Sequence, residues 1–163
     1  MKKTVTGFKA FNTDILESLE KNNEGKIIIQ KDTKEKYKNG IYLAKNIEDS
    51  LKYVDRTKEI SIAKVKGFDN VEERYNSFYE FYGIYTADNV EIQKILSRKQ
   101  IINEVLKGKN NDFRIQRFIS LYKLTDEEID TLRKECQGIV KNLDKYIEYY
   151  QYGQEDAFTR KRK

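Results

Sequence analysis

The side chains available for chemistry in this chain are limited, because its 163 residues include no histidine and one cysteine. A catalytic thiol normally works beside a histidine, and histidine is also the usual general base near neutral pH. One thiol with carboxylates rarely holds zinc, so we expect no metal site. Cys136 shares a helical register with Ile129 and Leu132, which predicts a buried thiol. The candidates for a site are therefore tyrosine, serine, lysine and carboxylate side chains.

The stretch from Gly40 to Tyr53 predicts a strand that runs into a helix. Gly40 follows Asn39 and favours a turn, Ile41–Ala44 reads as a short apolar strand, and Asn46 is placed to cap a helix. Ser50 and Tyr53 then lie in that helix, ten and thirteen residues after Gly40. The helix carries three apolar residues on one side: Ile47, Leu51 and Val54.

The rest of the chain up to residue 96 predicts six short strands around one or two helices, which makes an α+β core. Ile27–Ile29 is apolar and β-branched, so it predicts a buried strand. Glu59–Lys66 predicts a strand whose apolar phase breaks, most simply at a bulge. Val71–Tyr75 and Phe78–Tyr85 predict a hairpin with a turn at Asn76 and Ser77. Two further strands are predicted at Thr4–Phe11 and Val90–Leu96.

From Ser97 the apolar period becomes helical and predicts three or four helices. Asn111 is placed to begin one of them, and Thr125 and Glu128 form a capping box at the start of another. We therefore expect residues 1–96 to form the core, residues 97–153 a helical subdomain packed on it, and residues 154–163 a basic flexible tail.

Composition favours a soluble, highly charged globular protein, with 36% charged and 38% hydrophobic residues. The chain has no apolar run long enough to span a bilayer and no apolar secretory segment near its start, so we expect a cytoplasmic protein without membrane contact. The net charge is +5, and Arg160, Lys161, Arg162 and Lys163 supply four of those charges. These four residues are the candidates for nucleic-acid contact, although such a run is also typical of a solvated end.

The Gly40–Tyr53 stretch resembles the central segment of ADP-ribosyltransferases of the poly(ADP-ribose) polymerase and diphtheria-toxin type. The resemblance implies an ADP-ribosyltransferase-like core and NAD as the cofactor, bound at Gly40, Tyr42, Ser50 and Tyr53. It implies that Tyr42 flanks the nicotinamide, that Ser50 bonds its carboxamide and that Tyr53 stacks on the ring. The same residues are equally typical of ordinary packing between a strand and a helix.

The resemblance extends over about residues 40–96 and implies Glu80 as the catalytic carboxylate. Two departures from the family pattern accompany it. Glu80 lies five residues before Tyr85, where the family has four, and a bulge at Gly83 would be needed to restore its direction. Lys9 stands where the family has a histidine or arginine that grips the NAD ribose, and a lysine lacks their fixed geometry. The expectation is an inherited fold with a damaged or repurposed NAD pocket.

A second resemblance covers most of the chain and is to small uncharacterised proteins of low-GC bacteria and their phages. Those proteins often have Gly-Phe-His where this chain has Gly40-Ile41-Tyr42, which weakens the argument for Tyr42 as a pocket residue. The setting that this resemblance implies is a phage or another mobile element. The segments that carry it are Gly7–Asn12, Asn46–Tyr53, Arg117–Ile119, Lys123–Ile129 and Tyr149–Gln151.

Two main functions follow as expectations. The first is a non-catalytic protein that binds and blocks a host protein or nucleoprotein, for example an anti-defence (anti-CRISPR-like) inhibitor. The aromatic hairpin from Tyr75 to Tyr85 would suit such an interface, although helices covering both of its faces would explain it equally well. The second is a mono-ADP-ribosyltransferase that modifies a host protein or nucleic acid.

Overall fold

The computed structural model describes residues 3–31, 40–76 and 79–153, apart from the side chains at 53, 75, 76 and 79–83. The chain divides into two compact units, Met1–Ser97 and Arg98–Lys163. The first unit is a β-rich α+β unit and the second is helical. The predicted tail at 154–163 lies outside the described residues.

The first unit contains one antiparallel sheet of seven described strands, which correspond to the strands that the sequence predicts. Their order across the sheet is β2-β7-β4-β1-β3-β6-β5. The strands are β1 (Thr4–Asn12), β2 (Ile27–Gln30), β3 (Ile41–Ala44), β4 (Ile60–Phe68), β5 (Glu72–Asn76), β6 (Tyr79–Ala87) and β7 (Asn89–Ile95).

The sheet closes over its own core, because β3 and β6 lie across one face of β4. A Cβ on Gly67 of β4 would be 3.0 Å from the Leu43 side chain and 3.2 Å from that of Ala87. Only a residue without a side chain permits this approach without displacement of its neighbours. The core of this unit is apolar and includes Phe11, Leu16, Ile29, Ile41, Leu43, Ala63, Val65, Ala87 and Val90.

Three details of this unit differ from the sequence prediction. The strand at Ile27–Ile29 is not fully buried, because β2 is an edge strand and Ile27 and Ile28 are half-buried. The predicted irregularity in β4 exists, but Lys64 pairs with Lys94 and Val65 with Ile92, so the extra residue is Gln93 of β7. The helix after β3 is short: α2 spans Ile47–Ser50 and continues as a single 3₁₀ turn, Leu51–Tyr53.

Other local predictions for the first unit are confirmed. The hairpin forms from β5 and β6, which pair antiparallel. Of the two residues predicted for its turn, Asn76 is instead the last residue of β5, paired with Tyr79, and Ser77 lies outside the described residues. Asn46 occupies the N-cap position of α2, although its side chain makes no capping hydrogen bond. A helix, α1 (Thr13–Glu17), follows β1 and contributes Leu16 to the core.

The second unit contains four helices in the described residues, and none of the described helices is long and apolar enough to cross a bilayer. They are α3 (Arg98–Leu106), α4 (Asp112–Leu121), α5 (Asp126–Cys136) and α6 (Leu143–Tyr146), which continues as a π-helical turn, Ile147–Tyr152. The capping box of Thr125 and Glu128 is confirmed, and Asn111 caps α4 by accepting from the backbone N–H groups of Phe113 and Arg114. Cys136 is fully buried, as predicted, and burial raises the pKa of its thiol.

Candidate functional site

The candidate site lies where β1 and β3 separate. These neighbouring strands share one described backbone pair, Phe8 with Ala44, whereas β1 and β4 pair along nine residues. The strands approach closely at Gly7, where a Cβ would collide with the main-chain oxygen of Ala44. No further backbone pair between β1 and β3 is described, and a gap lined by both strands lies beside this one.

Lys9 bridges this gap. Its ammonium donates a 2.8 Å hydrogen bond to the main-chain carbonyl of Tyr42 and lies 5.7 Å from the centre of the Phe11 ring. A carbonyl at this position would normally accept a hydrogen bond from the neighbouring strand. The lysine side chain therefore supplies a contact that the backbone ladder does not make here.

A small cavity lies beside this bridge. Its volume is about 60 Å³, and β1, β3, α2 and β6 all contribute to its wall. Three of the residues that the sequence predicts for the site line it: Lys9, Tyr42 and Ser50. The remaining described lining consists of Phe8, Ala10, Leu43, Ala44, Asp49 and Ile84.

The polar groups of the cavity already make contacts within the protein. Ser50 is 7% exposed, and its hydroxyl donates a 2.6 Å hydrogen bond to the carbonyl of Ile47, one turn earlier. A serine hydroxyl has one hydrogen, so in this arrangement Ser50 can only accept from a ligand. Tyr42 is 40% exposed and keeps part of its ring at the surface.

The volume of the cavity limits what it holds in this conformation. A volume of about 60 Å³ has room for only a few water molecules. Pockets that enclose small molecules usually measure about 300–1,000 Å³. The cavity is therefore too small for a dinucleotide in this conformation.

Asp49 is a site residue that the sequence reasoning missed. It lines the cavity at 3% exposure, and the Asn46 side-chain amide donates a 3.4 Å hydrogen bond to its carboxylate. The signal was present in the sequence, since Asp49 directly precedes Ser50. A helical-face argument could not find it, however, because all four residues of α2 are buried.

Gly40 has a structural reason to be glycine that does not involve a ligand. Its φ is +99°, a backbone conformation that side chains rarely adopt, and a Cβ there would lie 3.2 Å from that of Thr86. Gly40 is not among the described residues that line the cavity.

Tyr53 and Glu80 are the remaining residues that the sequence predicts for the site. Tyr53 ends the 3₁₀ turn that follows α2, and Glu80 lies in β6. The register between β5 and β6 shifts between Arg74 and Asn76, opposite the part of β6 that contains Glu80. The side chains of both residues lie outside the described ones, as do those of most of the aromatic hairpin, so these predictions remain predictions.

The described side chains contain no group of three or more histidine, cysteine, aspartate or glutamate residues that could hold a metal ion. Comparison with known proteins gives no relative: no family model, no curated protein and no solved structure matches the chain.

Proposed function

We propose that this protein is a non-catalytic binding protein of a phage or mobile element, which acts in the bacterial cytoplasm by blocking a host macromolecule. In this proposal its β unit is an ADP-ribosyltransferase-like scaffold whose NAD pocket has been closed and repurposed. The observation that carries it is the state of the cavity: at about 60 Å³ it is too small for a nicotinamide nucleotide. The groups that would hold NAD already make hydrogen bonds within the protein. Lys9 donates to the carbonyl of Tyr42, and Ser50 donates to the carbonyl of Ile47.

Closing the cleft in this way stabilises the scaffold. The bond from Lys9 ties β3 to β1 where the backbone ladder is interrupted, and a bound cofactor would have to replace it. A protein that acts through its outer surface has no need to open this gap. The second resemblance, to small phage proteins, supports the same reading because such proteins frequently act by occupying a host factor.

Two measurements test this proposal together. Calorimetry with NAD at millimolar concentration should give no binding heat, and Tyr42→Ala should behave like the unaltered protein. A tagged chain should also retain one host protein or nucleoprotein from a host lysate in stoichiometric amount, and the purified partner should bind it directly. Recovery of no host macromolecule would contradict the proposal, as would NAD heat that disappears in Tyr42→Ala.

A mono-ADP-ribosyltransferase is the second candidate, and one specific observation favours it. Lys9, Tyr42 and Ser50 come from three elements and line one cavity where two strands part. In this alternative Tyr42 and Tyr53 sandwich the nicotinamide of NAD, Ser50 holds its amide and Lys9 contacts the ribose. Glu80 would stabilise the positive charge that develops on the ribose as the nicotinamide leaves.

The test of this alternative is transfer of label from NAD that is labelled in its ADP-ribose part to host proteins or nucleic acid. Glu80→Gln should abolish transfer, whereas Glu72→Gln, an exposed carboxylate on the neighbouring strand, should leave it unchanged. Equal transfer by both variants, or none by the unaltered chain, would remove the alternative.

A further inference from the structure

A positively charged groove lies in the helical unit, at the turn between α5 and α6. Its volume is about 740 Å³, and its lining includes Arg133, Lys134, Asp144 and Lys145. Asp144 is paired with Arg133 at 2.9 Å, so its charge is compensated inside the groove. Lys134 and Lys145 are exposed and give the groove its excess positive charge.

Exposed tyrosines continue from this groove along the π-helical turn. Tyr152 is 51% exposed, and it adds to the effect of Asp144 in raising the pKa of Arg133, which places the ring near this side of the groove. Tyr149 is 72% exposed, the most exposed of the large hydrophobic side chains described. Its ring meets the edge of Tyr150 at 4.7 Å, and Tyr150 stacks on Tyr146 at 5.9 Å, with 8° between the two planes.

These contacts hold the rings in place near the exposed cationic side chains of the groove. A tyrosine that is 72% exposed contributes little to the folding of its own unit, so packing does not account for it. The turn is also π-helical, a distortion that often marks functional positions. Aromatic rings beside a cationic groove are the combination that binds single-stranded nucleic acid, because bases stack on the rings while phosphates meet the cations.

We propose that the groove and the tyrosines after it form a binding site for single-stranded nucleic acid. Phosphates would lie along Lys134 and Lys145, and an unstacked base would lie on Tyr149. A duplex does not suit this arrangement, because its bases are stacked on one another and do not reach the ring. This inference is independent of what occupies the cavity between β1 and β3.

The test is a fluorescence-anisotropy titration of a labelled oligothymidylate of about 20 nucleotides with the full chain, at several salt concentrations. Tyr149→Ala should weaken binding at least about fivefold, and Tyr149→Phe should bind as the unaltered chain does, because it keeps the stacking ring. Lys134→Glu should weaken binding and reduce the slope of log affinity against log salt by about 0.7 or more, the value for one lost phosphate contact. Lys99→Glu is the matched control, since it makes the same charge change at an exposed residue of α3 outside the groove.

The inference is overturned if the oligonucleotide does not bind at low salt, or if Lys134→Glu and Lys99→Glu lose the same affinity. Equal binding of a duplex of the same length would also overturn it, and so would equal binding of polyglutamate, which would indicate an acidic-peptide site. Circular dichroism of each variant establishes that the loss of binding is not a loss of folding.

Discussion

The ammonium of Lys9 donates its hydrogen bond to the main-chain carbonyl of Tyr42 across the gap between β1 and β3. This contact links β1 to β3 in addition to the backbone pair of Phe8 with Ala44. In the proposed function it also occupies the amine that would otherwise contact the ribose of NAD. The same atom pair therefore bears on the stability of the β unit and on whether its cavity is open.

Removing this bridge should destabilise the β unit. Lys9→Met keeps most of the aliphatic length and deletes the donor, so the free energy of unfolding should fall by about 0.5–1.5 kcal/mol. The bond is solvent-exposed, which keeps this value at the level of an ordinary hydrogen bond. Urea unfolding monitored by tyrosine fluorescence measures it. Lys64→Met, an exposed lysine on β4 that pairs with Phe8, is the control and should change stability little; equal losses in both variants would contradict the bridging role.

Gly7→Ala should be more disruptive than its small size suggests. The added Cβ would meet the rigid main-chain oxygen of Ala44, so the strands must shift, and overpacking of this kind costs about 1–3 kcal/mol. Gly25→Ala tests the other cost of replacing a glycine, since φ is +78° there but no atom lies within 4 Å of the new Cβ. We expect Gly25→Ala to cost only about 1 kcal/mol. A smaller loss for Gly7→Ala in the same urea experiment would show that β3 can move away from β1.

The stability of the helical unit should depend on pH through Glu128. Burial acts to raise the pKa of this carboxyl, but the hydrogen bonds from Arg98 and Thr125 outweigh it and hold the pKa below its ordinary value of 4.5. A carboxyl with a lowered pKa in the folded state stabilises the fold above about pH 4.5. That contribution is lost as the pH falls through the folded-state pKa.

Glu128→Gln tests this dependence. It keeps a side chain suited to the capping box but loses the charged pair with Arg98, so it should cost about 1 kcal/mol at pH 7 and progressively less below pH 4.5. Thermal unfolding between pH 3 and pH 7 measures the difference. Glu127→Gln, an exposed neighbour, should leave the pH profile unchanged, and a constant cost of Glu128→Gln at every pH would contradict the pKa argument.

Gln151, the last residue of the Tyr149–Gln151 segment, has a structural role in the helical unit. Its amide donates to the carbonyls of Ile119 and Tyr122 at 2.6 and 2.8 Å, and its carbonyl accepts from the backbone N–H of Leu124 at 2.8 Å. One side chain thus satisfies three backbone groups at the connection from α4 to α5. Gln151→Leu should leave all three without partners and cost about 2–4 kcal/mol in chemical unfolding. Gln137→Leu, at an exposed glutamine, should be nearly neutral, and a similar result for Gln151→Leu would mean that water replaces the amide.

Much of the local structure could be predicted from neighbouring residues alone. Thr125 and Glu128 lie three residues apart, and their reciprocal hydrogen bonds need only the first turn of α5 to form. The hairpin of β5 and β6 and the cap at Asn111 are local in the same sense. The length of α2 was overestimated, because the pattern of Ile47, Leu51 and Val54 fits a helix while the backbone tightens to a 3₁₀ turn after Ser50.

By itself, the sequence determined the mixed class of the protein, the change from strands to helices near Ser97 and the burial of Cys136, since these depend on periodicity and side-chain type over short distances. Only the tertiary structure decided that Lys9 reaches the carbonyl of Tyr42, that Asp49 lines the cavity beside Ser50, and that Tyr152 adjoins Arg133. The physical reason is that each of these contacts depends on where strands and helices far apart in the chain are brought together. The close approach of Gly7 to the Ala44 carbonyl is one such contact, and no local pattern encodes it.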